Sequence, residues 1–251
     1  MSKYYNPKRT KYVFSPKALE PFRLSRSKIE LFTNCPRCFY LDRRLGVGQP
    51  PGFPFTLNSA VDSLLKNEFD HYRREQKPHP IMTKYRLLAV PFKHEKIDQW
   101  RNALSGGIEY LHKGTNFNIT GGIDDIWVNL KGELIIVDYK STSKDGQIVA
   151  LDQDWQDSYK RQMEIYQWLF RKNNFEVNPT GYFVYCNADS RKERFDGHLV
   201  FDLTLIPHKG DDSWVEKTII DAKNCLMNDA LPAPSPDCDY CRYRAAASDA
   251  E

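Results

Sequence analysis

The sequence predicts an α/β chain of the α+β kind, a small mixed sheet flanked by helices. Three observations carry this. Apolar residues recur at helical spacing over residues 57–74, 155–171 and 213–227. Strand-like runs lie between them, and one, Leu134-Ile135-Ile136-Val137, is apolar on both faces, as a central strand is. No segment repeats.

The elements follow in chain order. Residues 1–22 read as a flexible basic arm. Residues 25–32 suit a short helix with Ser25 as N-cap and Ile29 and Phe32 on one side. Pro and Gly make 46–55 a loop. The helix over 57–74 carries Leu57, Val61, Leu64, Leu65 and Phe69 on its core side. A strand is expected over 85–92, and a helix over 95–112 that Gly106-Gly107 weakens. A hairpin follows, with strands over 118–129 and 133–140. The helix over 155–171 offers Tyr159, Met163, Tyr166, Trp168, Leu169 and Phe170 as apolar surface. Strands over 181–187 and 198–205 flank a charged loop, and a helix spans 213–227. Pro232, Pro234 and Pro236 lead to the last cysteine pair. The organisation expected is one domain over 23–244, whose segments 23–45 and 231–244 join as a cysteine lobe, and a tail over 245–251.

A chain of 251 residues can bury one core with an appended lobe. Its net charge of +3 is mildly basic and compatible with nucleic acid. No apolar run nears the ~20 residues that span a bilayer. The polar, aromatic start lacks a signal core. These features predict a soluble cytoplasmic protein with no membrane partner. Six cysteines in that setting argue for metal ligation before disulfides.

The hairpin, GGIDDIWVNLKGELIIVDYKST, holds the chemistry. A loop of Leu130-Lys131-Gly132 puts glycine where a left-handed residue is wanted. Asn129 then pairs with Glu133, Asp124 stands opposite Asp138, and alternation brings Lys140 to the same face. A loop of Lys131-Gly132 alone would put Asp125 there instead. Opposed aspartates repel, and a hard divalent cation, Mg²⁺ or Mn²⁺, removes that conflict. Such an ion beside a phosphodiester, with Lys140 to neutralise developing charge, is the chemistry of a metal-dependent nuclease.

The cysteines form a second constellation. Cys35-Pro36-Arg37-Cys38 and Cys238-Asp239-Tyr240-Cys241 supply four thiolates, the complement for structural Zn²⁺ or a [4Fe–4S] cluster. One shared centre would staple the two ends of the chain. Cys186, in an expected strand, and Cys225, in an expected helix, read as small buried side chains.

Taken in order along residues 24–244, these motifs resemble the PD-(D/E)XK nuclease superfamily, and within it the RecB-like branch with the CRISPR-associated iron–sulfur exonucleases. Gly121-Gly122-Ile123-Asp124 looks like that branch's G-x-I-D strand, Asp138-Tyr139-Lys140-Ser141-Thr142 like its D-Y-K-T strand, and Gln162-Met163-Glu164-Ile165-Tyr166 like its Q-x-x-x-Y helix. Leu24-Ser25-Arg26-Ser27, leading to Cys35-Pro36-Arg37, is similar to its N-terminal cluster segment. The resemblance implies a restriction-endonuclease-like core. It implies Mg²⁺ or Mn²⁺ on Asp62, Asp124 and Asp138, with Lys140, Gln162 and Tyr166 at the reaction. Asp62, in Asn58-Ser59-Ala60-Val61-Asp62, stands where the branch usually has histidine. The resemblance also implies an iron–sulfur cluster on Cys35, Cys38, Cys238 and Cys241, with Zn²⁺ the alternative. The sixth position after Cys241, where the branch carries a further cysteine, is Ala247.

The function implied is a divalent-metal-dependent deoxyribonuclease, exonuclease-like, acting on single strands or DNA ends. The alternative is a nucleic-acid-binding subunit of the same fold without useful catalysis. Arg43, Arg44, Arg191, Lys192 and Arg194 are candidate DNA contacts. Any helicase partner would be a separate chain.

Overall fold

The structure is a computed structural model and describes residues 8–50, 52, 55–146 and 148–251. In chain order it contains β1 (Phe22–Ser25), α1 (Arg26–Asn34), α2 (Pro36–Arg43), α3 (Thr56–Glu75), α4 (Pro80–Lys84), β2 (Ala89–Pro91), α5 (Ile97–Arg101), β3 (Ile108–His112) and β4 (Phe117–Gly121). It continues with β5 (Asp125–Asn129), β6 (Leu134–Thr142), α6 (Asp157–Lys172), β7 (Thr180–Ala188), β8 (Phe201–Lys209), α7 (Ser213–Met227) and α8 (Asp239–Ala250). A 3-10 turn, Asp154–Gln156, leads into α6. The predicted α/β class, with a mixed sheet and helices beside it, is what the chain adopts.

Two compact units divide the chain. The second, residues 54–108 and 121–212, is built on a five-stranded sheet in the order β2-β5-β6-β7-β8. The apolar run 134–137 is central as predicted: β6 pairs antiparallel with β5 and parallel with β7. Alternation along β6 divides its side chains. Ile135, Val137 and Tyr139 pack with Leu65 and Phe69 of α3, beside Trp127 and Val184. The opposite set, Asp138 among it, faces α6, whose Met163, Ile165, Tyr166, Leu169 and Phe170 are buried. Burial of these side chains is the dominant stabilising term, about 1.5–3 kcal/mol for each large apolar group.

The hairpin adopts the three-residue loop. Asn129 N–H donates to the Glu133 carbonyl at 3.1 Å, and Gly132 sits at φ +81°. Asp125 pairs with Val137, which sets Asp124 opposite Asp138.

The first unit takes residues 1–53, 109–120 and 213–251, so it holds both cysteine segments. Its sheet runs β1-β4-β3, with β1 parallel to β4. Helices α1 and α2 pack on α7, whose Val215, Ile219, Ala222 and Leu226 are buried. The buried carboxylate of Asp42 is held by Arg9, by Lys28 at 3.0 Å and by Arg43 at 2.5 Å.

Several expectations change. The strand expected over 118–129 is two strands in two sheets, with the chain turning at Gly122-Ile123-Asp124. Glycine is needed there, because a Cβ on Gly122 would meet Ala103 Cβ at 2.6 Å. The helix expected over 95–112 shrinks to α5, and its last residues form β3. Gly107 takes φ +95°, where a side chain would be strained and would meet the Gly121 carbonyl. The arm is packed within its described part: Phe14 is buried edge-on to Phe22 and Phe117. Residues 1–7 lie outside the described residues. The tail over 245–251 continues α8 as far as Ala250. Among the described residues no helix is long and apolar enough to cross a membrane.

Gly121 seats α6 on the sheet, since a Cβ there would meet Tyr166 Cε1 at 2.7 Å and Leu169 Cδ1 at 3.1 Å. Gly121→Ala should therefore cost about 1–3 kcal/mol of stability, the usual range for overpacking. Urea denaturation checks this, and an unchanged midpoint would contradict the close seating of α6.

Candidate active site

Strand β6 and helix α6 build one half of the site. Asp138 is 0 % exposed. Its Oδ1 accepts from Gln162 Nε2 at 2.7 Å, and its Oδ2 pairs with Lys140 Nζ. Gln162 and Tyr166 lie one turn apart on α6, and Gln162 Nε2 donates to the Tyr166 hydroxyl oxygen at 3.3 Å.

The bend before β5 and the start of α3 build the other half. Asp124 Oδ2 accepts the Tyr139 backbone N–H at 2.9 Å, and the Asp124 carbonyl accepts from Arg101 Nε at 3.0 Å. Asp62 and Lys66 share one face of α3. Lys66 Nζ lies 2.8 Å from Asp62 Oδ2 and 3.6 Å from Asp124 Oδ1. Asn58, one turn before Asp62, donates to the Ser141 carbonyl at 2.7 Å and so ties α3 to the end of β6. Asp62, Asp124, Asp138, Lys140, Gln162 and Tyr166, which the sequence singles out, thus gather within one unit.

The electrostatics follow from this crowding. Burial raises the Asp62 pKa, and the neighbouring Asp124 raises it further, against the pull of Lys66. Burial alone would lower Lys140, but Asp138 and then Asp124 outweigh it and raise the ammonium above its ordinary value. Lys140 is therefore a fixed cation, able to donate but not to act as a base. Among the described residues only the cysteine quartet brings its ligand atoms within 4.8 Å of one another. The carboxylates stand farther apart, with Lys66 bridging Asp62 and Asp124. The donor set nonetheless suits a hard divalent cation: the Lys66 ammonium lies between the carboxylates of Asp62 and Asp124, where a cation is favoured, and Asp124 and Asp138 both act on Lys140.

Asp125 does not share this site. It faces the α3 side, 0 % exposed. It accepts from the Tyr139 hydroxyl at 2.8 Å and from Trp127 Nε1 at 3.3 Å, and it pairs with Arg73 and, at 2.9 Å, with Arg101. Arg101 also grips both oxygens of Asp70, at 2.8 and 2.9 Å. The sequence reading missed this anchor, together with Lys66 and Arg101. Lys66 was findable, because it falls four residues after Asp62 on a predicted helix. Arg73 and Arg101 carried no local signal.

Two aromatics that the sequence reading left in the helix also border the acids. Lys140 Nζ lies 4.4 Å from the centre of the Tyr159 ring, which meets Trp155 edge-on at 5.5 Å. Trp155 is 49 % exposed, and Lys144 Nζ sits 4.7 Å from its ring centre.

Of the proposed DNA-contacting cations, Arg43 is corrected: it is buried, bound to Asp42 and to the Tyr12 carbonyl, and cannot reach a ligand. Arg44 pairs with Asp229 at 3.1 Å, Arg191 with Asp189 at 2.9 Å and Arg194 with Asp196 at 3.6 Å, while Lys192 is exposed.

The cysteine quartet lies in the first unit. Cys35 Sγ is 3.8 Å from Cys241 Sγ, and Cys38 Sγ is 3.5 Å from Cys238 Sγ and 3.6 Å from Cys241 Sγ. Cys186 is core, as read from the sequence, and burial pushes its thiol up to about 12. Cys225 is half-buried.

The profile of the PD-(D/E)XK nuclease superfamily matches residues 55–246. The crystal structure of SSO0001 is similar at 16 % identity, covering 89 % of this chain and 84 % of that one with a TM-score of 0.36. No curated protein matches the chain.

Because Asp125 binds two arginines without solvent, Asp125→Asn should destabilise the fold by about 3 kcal/mol, the scale for breaking a buried ion pair. Asp124→Asn, on the partly exposed neighbour, should cost under about 1 kcal/mol. Urea titration of the two variants side by side decides it; equal stabilities would remove Asp125 from its anchoring role.

Proposed function

Because the chain belongs to the PD-(D/E)XK nuclease superfamily, whose members are typically metal-dependent nucleases, we propose that it hydrolyses phosphodiester bonds of DNA, on single strands or at ends, as a Mg²⁺- or Mn²⁺-dependent deoxyribonuclease. The observation that carries this is the linked set of acids and ammonium groups: Asp62 and Asp124 on Lys66, Asp138 on Lys140, and Asp124 close enough to act on both. Asp62, Asp124 and Asp138 would hold the divalent ion, which supplies Lewis acidity next to the scissile phosphate.

The chain's own groups do the rest. Gln162 fixes one oxygen of Asp138 and the Tyr139 N–H fixes one oxygen of Asp124, so both carboxylates are oriented in advance. Lys140 remains protonated and presents positive charge where negative charge grows on the phosphate oxygens. Gln162 and Tyr166 position the substrate from α6. Trp155 and Tyr159, interleaved with Lys140 and Lys144, suit a splayed strand: rings stack on bases while ammonium groups meet the backbone. That pairing supports single strands over intact duplex. The free thiols suit the reducing cytoplasm.

A second reading has one observation in its favour. Lys66 already bridges Asp62 and Asp124, so a metal must displace it. A chain in which Lys66 holds its place would bind nucleic acid without cutting it. Cleavage of labelled DNA with Mg²⁺ or Mn²⁺, set against binding in EDTA, separates the two.

Under the nuclease reading Asp138→Asn should abolish cleavage. Lys140→Ala should lower kcat by about 10²–10³ while retaining the metal. Wild-type rates in both variants would overturn the site. Trp155→Ala should weaken single-strand binding by about 1–3 kcal/mol, the worth of a stacked base, and act on KM rather than kcat. A loss confined to duplex substrates would contradict the stacking role.

A further inference from the structure

The resemblance to iron–sulfur nucleases raises the expectation of a four-iron cluster on the cysteine quartet, and the quartet does not fit one. In a [4Fe–4S] cluster each thiolate binds its own iron, at alternate corners of a cube. The thiolates point away from one another and stand about 6 Å apart. Here all four sulfurs lie within 4.8 Å of one another, with pairs at 3.5, 3.6 and 3.8 Å. A two-iron cluster is excluded by the same comparison, because its two thiolate pairs sit on different irons at opposite ends.

A single tetrahedral ion fits. With zinc–sulfur bonds of about 2.3 Å, tetrahedral geometry places the sulfurs about 3.8 Å apart. We infer that Cys35, Cys38, Cys238 and Cys241 hold one mononuclear zinc ion in a closed four-thiolate site.

Local structure supports this. Cys35 caps α2, and Cys38 lies in its first turn. Cys238 caps α8, and Cys241 lies in its first turn. Each C-x-x-C pair thus bends both of its sulfurs to one side of a helix start, and the two starts face each other. Cys35, Cys38 and Cys241 are buried, with Leu31 and Cys238 packed against them. Ala247, at the position where the branch carries a further cysteine, lies well along α8 and supplies no thiolate. Zinc is favoured over a single ferrous ion because nitrogen, oxygen and sulfur sites generally bind it more tightly, and because it accepts tetrahedral sulfur without cost.

The test is direct. The full chain is purified without oxygen, and zinc, iron and acid-labile sulfide are quantified. About one zinc per chain, negligible iron and sulfide, and a colourless protein are expected. Replacement by Co²⁺ should give the intense visible bands of tetrahedral thiolate cobalt, and those bands should vanish in Cys241→Ser. Stripping the metal from wild type should lower Tm, and restoring Zn²⁺ should return it. Roughly four irons with matching sulfide, one iron without sulfide, or a chain holding no metal would each overturn the assignment.

Discussion

A carboxylate without solvent anchors the unit that carries the acidic residues. Asp125 is buried beside Arg73 and Arg101, and neither the acid nor its cations would sit there unpaired. Such a knot is a poor source of net stability, because desolvation offsets most of the attraction. Its value is geometric. Arg101 reaches from Asp125 to the carbonyl of Asp124, and the Tyr139 hydroxyl reaches back to Asp125 while its backbone N–H holds the Asp124 side chain. One buried charge therefore fixes the orientation of the preceding residue, Asp124.

The site is a balance of like and unlike charge. Asp62 and Asp124 push against each other, and the protein answers with Lys66. Asp138 is answered by Lys140 and Gln162. The difference between the two answers is mechanistic. Lys140 is held by the strand that carries Asp138, whereas Lys66 reaches across from α3 to a different element. A long flexible side chain of that kind can swing aside, giving up its ion pairs and regaining rotamer freedom.

What the sequence could and could not convey divides along range. Alternation in Leu134-Ile135-Ile136-Val137 and the position of Gly132 are local signals, and they determined the hairpin register, hence which aspartate of the doublet faces Asp138. The apolar spacing of α3, α6 and α7 was equally local. The errors were non-local. Whether 118–129 is one strand or two depends on which sheet each end joins, and only the contact of Gly122 with Ala103 reveals the turn. Helix α2 was hidden because its sequence is polar and aromatic, without a clean apolar stripe, yet Phe39 is buried against Phe32 and Tyr40 is buried with its hydroxyl donating to the distant Asn228 carbonyl. Arg73 and Arg101 look like surface cations until Asp125 is placed between them. The cysteine spacing could group four thiols, but the sulfur-to-sulfur distances on which a choice of metal rests are contained in no spacing pattern.

The division of the chain sets an order of events during synthesis. The second unit is complete when residue 212 has been made, whereas the first needs residues 213–251 to add α7, α8 and the last two thiols. On a ribosome the acidic cleft can therefore assemble while Cys35 and Cys38 still wait for their partners, about 200 residues of chain behind them. For that interval two thiols stand as an open half-site, exposed to oxidation or to the wrong ion. Their protection arrives only with Cys238 and Cys241.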